Sequence, residues 1–278
     1  MLKLILISLM TMMSVQGKNI ILNSGNSVIL ESAFNSSSTS EISQKISALA
    51  NPDITNILVP MSSGKVKDIF LILASPGGEI VSGLFMIDFI NSIPNVRVHT
   101  ITLFAASMGF ITAQGLGERY ITKTGTYMSH KARGSFGAAE FPGQHDSRYN
   151  FWIKRLDRID NSIVKRTKGK HTFKSYRNLM ENEYWCEGQE CVKQGFADEV
   201  ANVSCDTSLS GTIIKNVTFS FLGMSATVKL GRAKCPIILG YKKVSATLNG
   251  KPYHFNNRVF NLYFDKKIRS FNNFNSVK

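Results

Sequence analysis

Acidic residues are scarce in this chain, proline is scarcer, and cysteine is absent before residue 186. Its 278 residues hold 19 Asp and Glu against 33 Lys and Arg, a formal net charge of +14. That excludes an acidic solvating polymer and leaves a basic surface suited to anionic membranes, polyanionic envelope polymers or acidic clients, or simply to water. Seven prolines beside 43% apolar residues exclude a proline-rich or disordered chain and allow a sizeable core. The apolar run that stands out, LILISLMTMMSV at 4–15, is too short to span a bilayer. Metal spacing of the C-x-x-C kind is missing, so neither a metal nor another cofactor is expected. No nucleic-acid motif accompanies the densest basic stretch, KRTKGKHTFKSYR at 165–177, and no nucleic-acid partner is expected.

What is present begins with that apolar run. MLK, the run itself and the following QG read as a secretory signal peptide over 1–17, with Val15 and Gly17 small enough for the minus-three and minus-one positions of a cleavage site. The chain is therefore expected to be exported, periplasmic or secreted. In an oxidising compartment Cys186, Cys191, Cys205 and Cys235 can form two disulfides, and proximity favours Cys186 with Cys191 and Cys205 with Cys235. Four buried free thiols are the alternative.

Past the leader, NIILNSGNSVILES gives two short apolar runs with a turn between them. FNSSSTSEISQKISALA then opens a helix capped at Thr39 or Ser40, and residues 51–65 read as a loop. A buried-type strand DIFLILA, a tight SPGG and a helix EIVSGLFMIDFINSI follow, then a strand VRVHTITLF and a helix ASMGFITAQGLG. This alternation predicts an α/β fold with right-handed crossovers and a parallel sheet. ERYITKTGTYMSH adds a strand pair ending at His130. Residues 145–167 make a long helix with Tyr149, Trp152, Leu156, Ile159 and Ile163 on one stripe, which either packs on the core or projects to join subunits. Two short helices and a last strand complete a unit over 18–203. From 204 to 278 the pattern changes to period two, with Asn249-Gly250 as a hairpin signal, and predicts a small β-rich appendage.

Chemistry concentrates at Ser107, between small residues where the strand pattern gives way to a helical one. Alone, such a serine is most often a helix cap. In SPGG at 75–78 the glycines let backbone N–H groups approach a reacting oxygen closely, as acyl transfer requires. Gly78 and Met108 N–H form the natural oxyanion pair, with Gly77 shaping the turn. A serine hydroxyl also needs a base, and His130 at the end of a strand fits that need. His99, His145, His171 and His254 read as structural.

DIFLILASPGGEIVSGLFMIDFINSI, TLFAASMGFITAQG, TYMSHKARGSFG and NEYWCEGQECVKQGFADEV, in this order and spacing, resemble the proteolytic subunit of the Clp proteases. The resemblance covers about residues 20–203. It implies a crotonase-like fold of repeated β-β-α units and a serine endopeptidase acting on peptides or unfolded proteins through a Ser-His-Asp triad and an acyl-enzyme. Ser107 would be the nucleophile, His130 the base, and Gly78 and Met108 the oxyanion hole. The helix from 145 would be the handle that joins rings of subunits into a homo-oligomer. At the family's aspartate this chain departs: counting back from GFAD places Glu183 there, flanked by Glu181 and Asn182. A signal peptide also stands where the family has loops that meet a hexameric ATPase unfoldase, so no such partner is expected.

Two other readings stay open. A relative of the signal-peptide peptidases would use a Ser-Lys dyad, for which Lys131 is the available amine. A non-catalytic binding or assembly protein would use the same scaffold and its basic surface. Acyl-CoA chemistry on the same broad fold would not require a serine and a histidine in these blocks.

Overall fold

Residues 17–51, 66–134, 143–221 and 224–253 are described by the computed structural model. The expected signal peptide through residue 16, the expected loop over 52–65 and His254 lie outside the described residues.

The apolar run DIFLILA becomes an interior strand of a parallel sheet because both of its faces are covered, so its residues have no need to alternate. In chain order the elements are β1 (Lys18–Leu22), β2 (Ser27–Leu30), α1 (Ser36–Ala50), β3 (Lys67–Ser75), α2 (Ile80–Ser92), β4 (Val96–Ala106), α3 (Met108–Gly115) and β5 (Arg119–Ser129). Then come α4 (Gln144–Arg166), α5 (Phe173–Leu179), β6 (Tyr184–Glu187), α6 (Gly188–Lys193) and β7 (Glu199–Cys205). The sheet order is β1-β7-β5-β4-β3-β2, all parallel, with β6 added antiparallel along the end of β5. Between this sheet and the helices lies the main core, with Leu71, Leu73, Met108, Phe110, Tyr127 and Phe196 all buried. On the other face Ile20, Leu22, Ile72, Ile101 and Tyr120 form a second core, against which Leu209 and Ile237 pack.

A second, antiparallel sheet of order β11-β10-β9-β8 follows: β8 (Thr212–Phe221), β9 (Met224–Ala233), β10 (Lys242–Leu248) and β11 (Lys251–Tyr253). Asn249 and Gly250, both at positive φ, turn β10 into β11 as their sequence indicated. This sheet is tied to the first by a Cys205–Cys235 disulfide and by Arg232 and Tyr241, which both donate to Glu31 Oε1. A Cys186–Cys191 disulfide links β6 to α6.

Two expectations need correction. The cap of α1 is Asn35, not Thr39 or Ser40: its side chain accepts from Ser38 N–H at 2.9 Å while Ser38 Oγ accepts from Asn35 N–H. An earlier reciprocal pair wins over later hydroxyls, and Thr39 instead turns its hydroxyl to the Asn35 carbonyl. Residues 119–129 are one strand, not a pair. Their register against β4 slips between Ile121 and Thr126 without reversing direction. Gly125 permits the slip, since a Cβ there would lie 2.4 Å from the Thr102 carbonyl oxygen.

Candidate active site

Three neighbouring parallel strands end at the same edge, which is where open α/β sheets place their ligands. Ser75 of β3 lies opposite Ala105 of β4, and Ala106 lies opposite Met128 of β5. Two residues on from Ser75 is Gly77, one on from Ala106 is Ser107, and two on from Met128 is His130. Register alone therefore lines up the glycine turn, the serine and the histidine at the carboxyl ends of adjacent strands.

Each is then fixed locally. Gly77 and Gly78 adopt φ of 96° and 144°. Phe34 N–H donates to the Gly77 carbonyl at 2.8 Å and Glu79 N–H donates to the Phe34 carbonyl at 2.9 Å. Because residues 77 and 79 face Phe34, the Gly78 N–H lies on the opposite edge, and Gly78 lines the cleft. A Cβ on Gly78 would stand 2.4 Å from the Phe34 oxygen, and one on Gly77 would stand 2.6 Å from Ser107 Cβ.

Ser107 itself has φ 53° and ψ −116°, a backbone conformation that costs a non-glycine residue about 1–3 kcal/mol. It is held there because its N–H donates to the Met128 carbonyl at 2.9 Å and its carbonyl accepts from Ile111 N–H at 3.1 Å. Its side chain makes no capping hydrogen bond to α3, so the hydroxyl is not the helix cap that the sequence alone allowed. A strained serine at a sharp strand-to-helix turn is the arrangement of a nucleophile elbow. Met108, the first residue of α3, has its side chain fully buried against Gly83. Its N–H is one of the donors a helix start leaves without an intrahelical partner.

Ser107 and His130 line one cavity of about 740 Å³ together with Gly78, Ile80, Trp152 and Arg133. A smaller cavity of about 170 Å³ behind it is also lined by both, and by Asp160 and Arg177. The α4 stripe thus does two things: Tyr149, Trp152 and Leu156 wall the larger cavity, while Ile163 alone of the five is buried in the core.

The acid is differently placed. The β5–β6 ladder ends at the Ser129–Tyr184 pair, and His130 and Glu183 are the residues that flank this pair outside the ladder. Yet Glu183 turns at φ 63°, its carboxylate lies 3.7 Å from the Arg133 guanidinium, and it lines neither cavity. The buried Nδ1 of His130 has no hydrogen-bond partner. Asp160, to which the sequence pattern assigned no role, is a buried carboxylate that lines the smaller cavity with Ser107 and His130. Burial raises its carboxyl above the usual range while the 3.1 Å contact with Arg177 opposes the rise. Its position on α4 gave no signal of this, because its partner Arg177 stands 17 residues away. Lys131 lines the smaller cavity, but its ammonium is held by Glu181 at the surface.

Behind the site, the aspartate of GFAD acts structurally. Asp198 accepts from Arg119 at 2.7 and 2.9 Å, and the fully buried Arg119 also donates to Gln114 Oε1 and to the Gly195 carbonyl. Burial alone would raise the Asp198 carboxyl, but the Arg119 hydrogen bonds and charge, with Arg166 beyond, hold it well below the usual carboxylate range. Arg166 donates to the carbonyls of Gln114, Leu116 and Gly117, satisfying the orphan end of α3. The helix that starts at the serine is thereby clamped at its other end. His99 accepts from Glu118 N–H and contacts Asp68, and His171 stacks on Phe196. Among the described residues no cluster suited to a metal ion occurs.

With this geometry established, comparison with known proteins is decisive. The Clp protease family model matches residues 25–204. The chain belongs to the Clp protease family. It is 31% identical over 155 residues to the ATP-dependent Clp protease proteolytic subunit of Streptococcus mutans, covering 55% of this chain and 78% of that one. The corresponding subunits of Streptococcus pyogenes and Streptococcus equi are 30% identical over the same length. The α/β architecture of the parallel sheet and its helices is that of a ClpP-like peptidase, and the small second sheet is an appendage to it. The family match ends at residue 204, in β7, before the antiparallel sheet begins at Thr212.

Proposed function

We propose that this chain is an exported serine endopeptidase that cleaves peptides or unfolded proteins without an ATPase partner. The observation that carries the reading is Ser107, strained into an elbow with an uncommitted hydroxyl, beside His130 in one cleft. Ser107 Oγ would attack the scissile carbonyl while His130 takes its proton. The Gly78 and Met108 N–H groups would receive the oxyanion, each such donor contributing about 2.7–4 kcal/mol to the transition state. His130 would then return the proton to the leaving amine, and water would release the acyl group by the reverse route. Glu183 is the acid of this scheme. Reaching His130 Nδ1 requires it to leave Arg133, which assembly through α4 into a ring of copies would favour by giving Arg133 another partner.

Support for export comes from the leader sequence and from the two disulfides, which persist in oxidising compartments. ATP is not expected there. A Ser-Lys dyad is less well served, because a lysine base must be neutral and Lys131 is ion-paired with Glu181. The test is digestion of an unfolded protein such as reduced casein by the mature chain, with no nucleotide present. Cleavage lost in Ser107→Ala and in His130→Ala but kept in Lys131→Ala supports the proposal. Cleavage that survives Ser107→Ala, or that needs ATP and an added unfoldase, overturns it.

A further inference from the structure

The geometry of the second sheet points to a binding site away from the cleft: we propose that the free edge of β8 takes up an extended acidic polypeptide as an added strand. Edge strands expose unpaired N–H and C=O groups, and folded proteins usually blunt them with proline, bulges, shortness or charge. β8 is ten residues long, contains no proline, and pairs with β9 in continuous register. Among the described residues no strand pairs with its other edge. The phase of the ladder follows from Lys234 N–H donating to the Gly211 carbonyl at 3.1 Å, next to the Thr212–Ala233 pair. Antiparallel pairs alternate between bonded and non-bonded, so the odd-numbered residues face β9 and the N–H and C=O of Ile214, Asn216 and Thr218 point outward.

Side chains supply the apolar and charged parts of the recognition. Ile213 and Ile214 are 53% and 50% exposed and stand on opposite faces, where they can flank the alternating side chains of an added strand. From Thr207 to Tyr253 there is no Asp or Glu at all, while Lys229, Lys234, Lys242 and Lys251 are exposed. Lys229 is the cross-strand partner of Asn216 and rises from the same face as Ile214; Lys215 rises from the other face, where Glu41 of α1 also feels its charge. A second copy of this sheet would bring two acid-free surfaces together, which like-charge repulsion opposes. An acidic extended chain satisfies both the unpaired backbone and the excess of lysine.

The test is independent of the peptidase reading, because it uses the full chain carrying Ser107→Ala. Fluorescence anisotropy would follow a labelled ten-residue peptide of alternating Glu and Val at low salt, with a Lys-Val peptide as control. Asn216→Pro removes an outward N–H that β9 does not use, and is expected to weaken Glu-Val binding about tenfold. Lys229→Glu, a change at an exposed side chain that leaves the backbone intact, is expected to weaken it to a similar degree and serves if the proline variant misfolds. Unchanged affinity in both variants, or equal binding of the Lys-Val peptide, overturns the proposal. So does dimerisation abolished by Asn216→Pro in the absence of peptide binding, which assigns the edge to a second copy. Binding to phosphatidylglycerol vesicles with no peptide binding overturns it in favour of a membrane surface.

Discussion

Ser107 and Glu183, the proposed nucleophile and acid, are positioned by different means. At Ser107 the backbone determines everything: two glycines that admit no Cβ, a strand register that places Gly77 beside Ser107, and a main-chain bond from Ser107 to Met128. At Glu183 the backbone only sets the residue next to the end of the β5–β6 ladder, a long side chain decides where the charge goes, and it goes to Arg133. Strain is sustained where many main-chain contacts converge on it, while an exposed carboxylate follows the nearest cation. The proposed nucleophile is therefore held by its backbone, and the proposed acid is the group that assembly or substrate would have to recruit.

Several substitutions separate the two sides. Ser107→Ala should lower peptide hydrolysis by about 10⁴-fold or more, read as kcat/KM, with little change in melting temperature. Asp198→Asn leaves the buried Arg119 charge without its partner and should destabilise the fold by about 3–5 kcal/mol in denaturant unfolding. Because the folded Asp198 carboxyl lies below its unfolded value, its contribution is present above about pH 4 and lost as pH falls through the folded value. The acid limb of the stability curve should accordingly flatten in Asp198→Asn. Gly77→Ala, which drives a methyl group against Ser107 Cβ, should cost about 2–3 kcal/mol in transition-state stabilisation, measured from kcat at unchanged KM. Arg133→Gln should raise the activity of the unassembled chain a few-fold by releasing Glu183, and Glu183→Gln should abolish that gain. If Asp160→Asn removes activity and Glu183→Gln does not, the acid is Asp160. Smallest is Asn35→Ala, which removes the α1 cap and should cost about 1 kcal/mol in thermal unfolding without touching the cleft.

The same division explains what the sequence made legible. DIFLILA, SPGG and AASMG carry their pattern locally, because buried parallel strands and glycine turns are backbone requirements; the parallel sheet and the Ser107 turn could be read from them, and the second sheet from the period-two stretches after 204. Asn249-Gly250 was legible for the same reason. The cap of α1 was misread because Asn35 and Ser38 act as a reciprocal pair, whereas a list of hydroxyls does not say which comes first in space. The break in β5 looked like a turn because a register slip at Gly125 uses the same residue types as a reversal. Asp160 with Arg177, Arg119 with Asp198, and Arg133 with Glu183 were invisible, since each pair is 17 to 79 residues apart and only the fold closes the distance.

The measurement that bears most directly on the account is labelling of the purified chain with a fluorophosphonate probe, with the modified residue located by mass spectrometry. Labelling confined to Ser107 and lost in His130→Ala is the predicted result, because an elbow serine with an adjacent base reacts even where the acid is imperfectly engaged. Absence of labelling in both the monomeric and the assembled protein, or labelling at another serine, would contradict it and leave the scaffold as a binding protein.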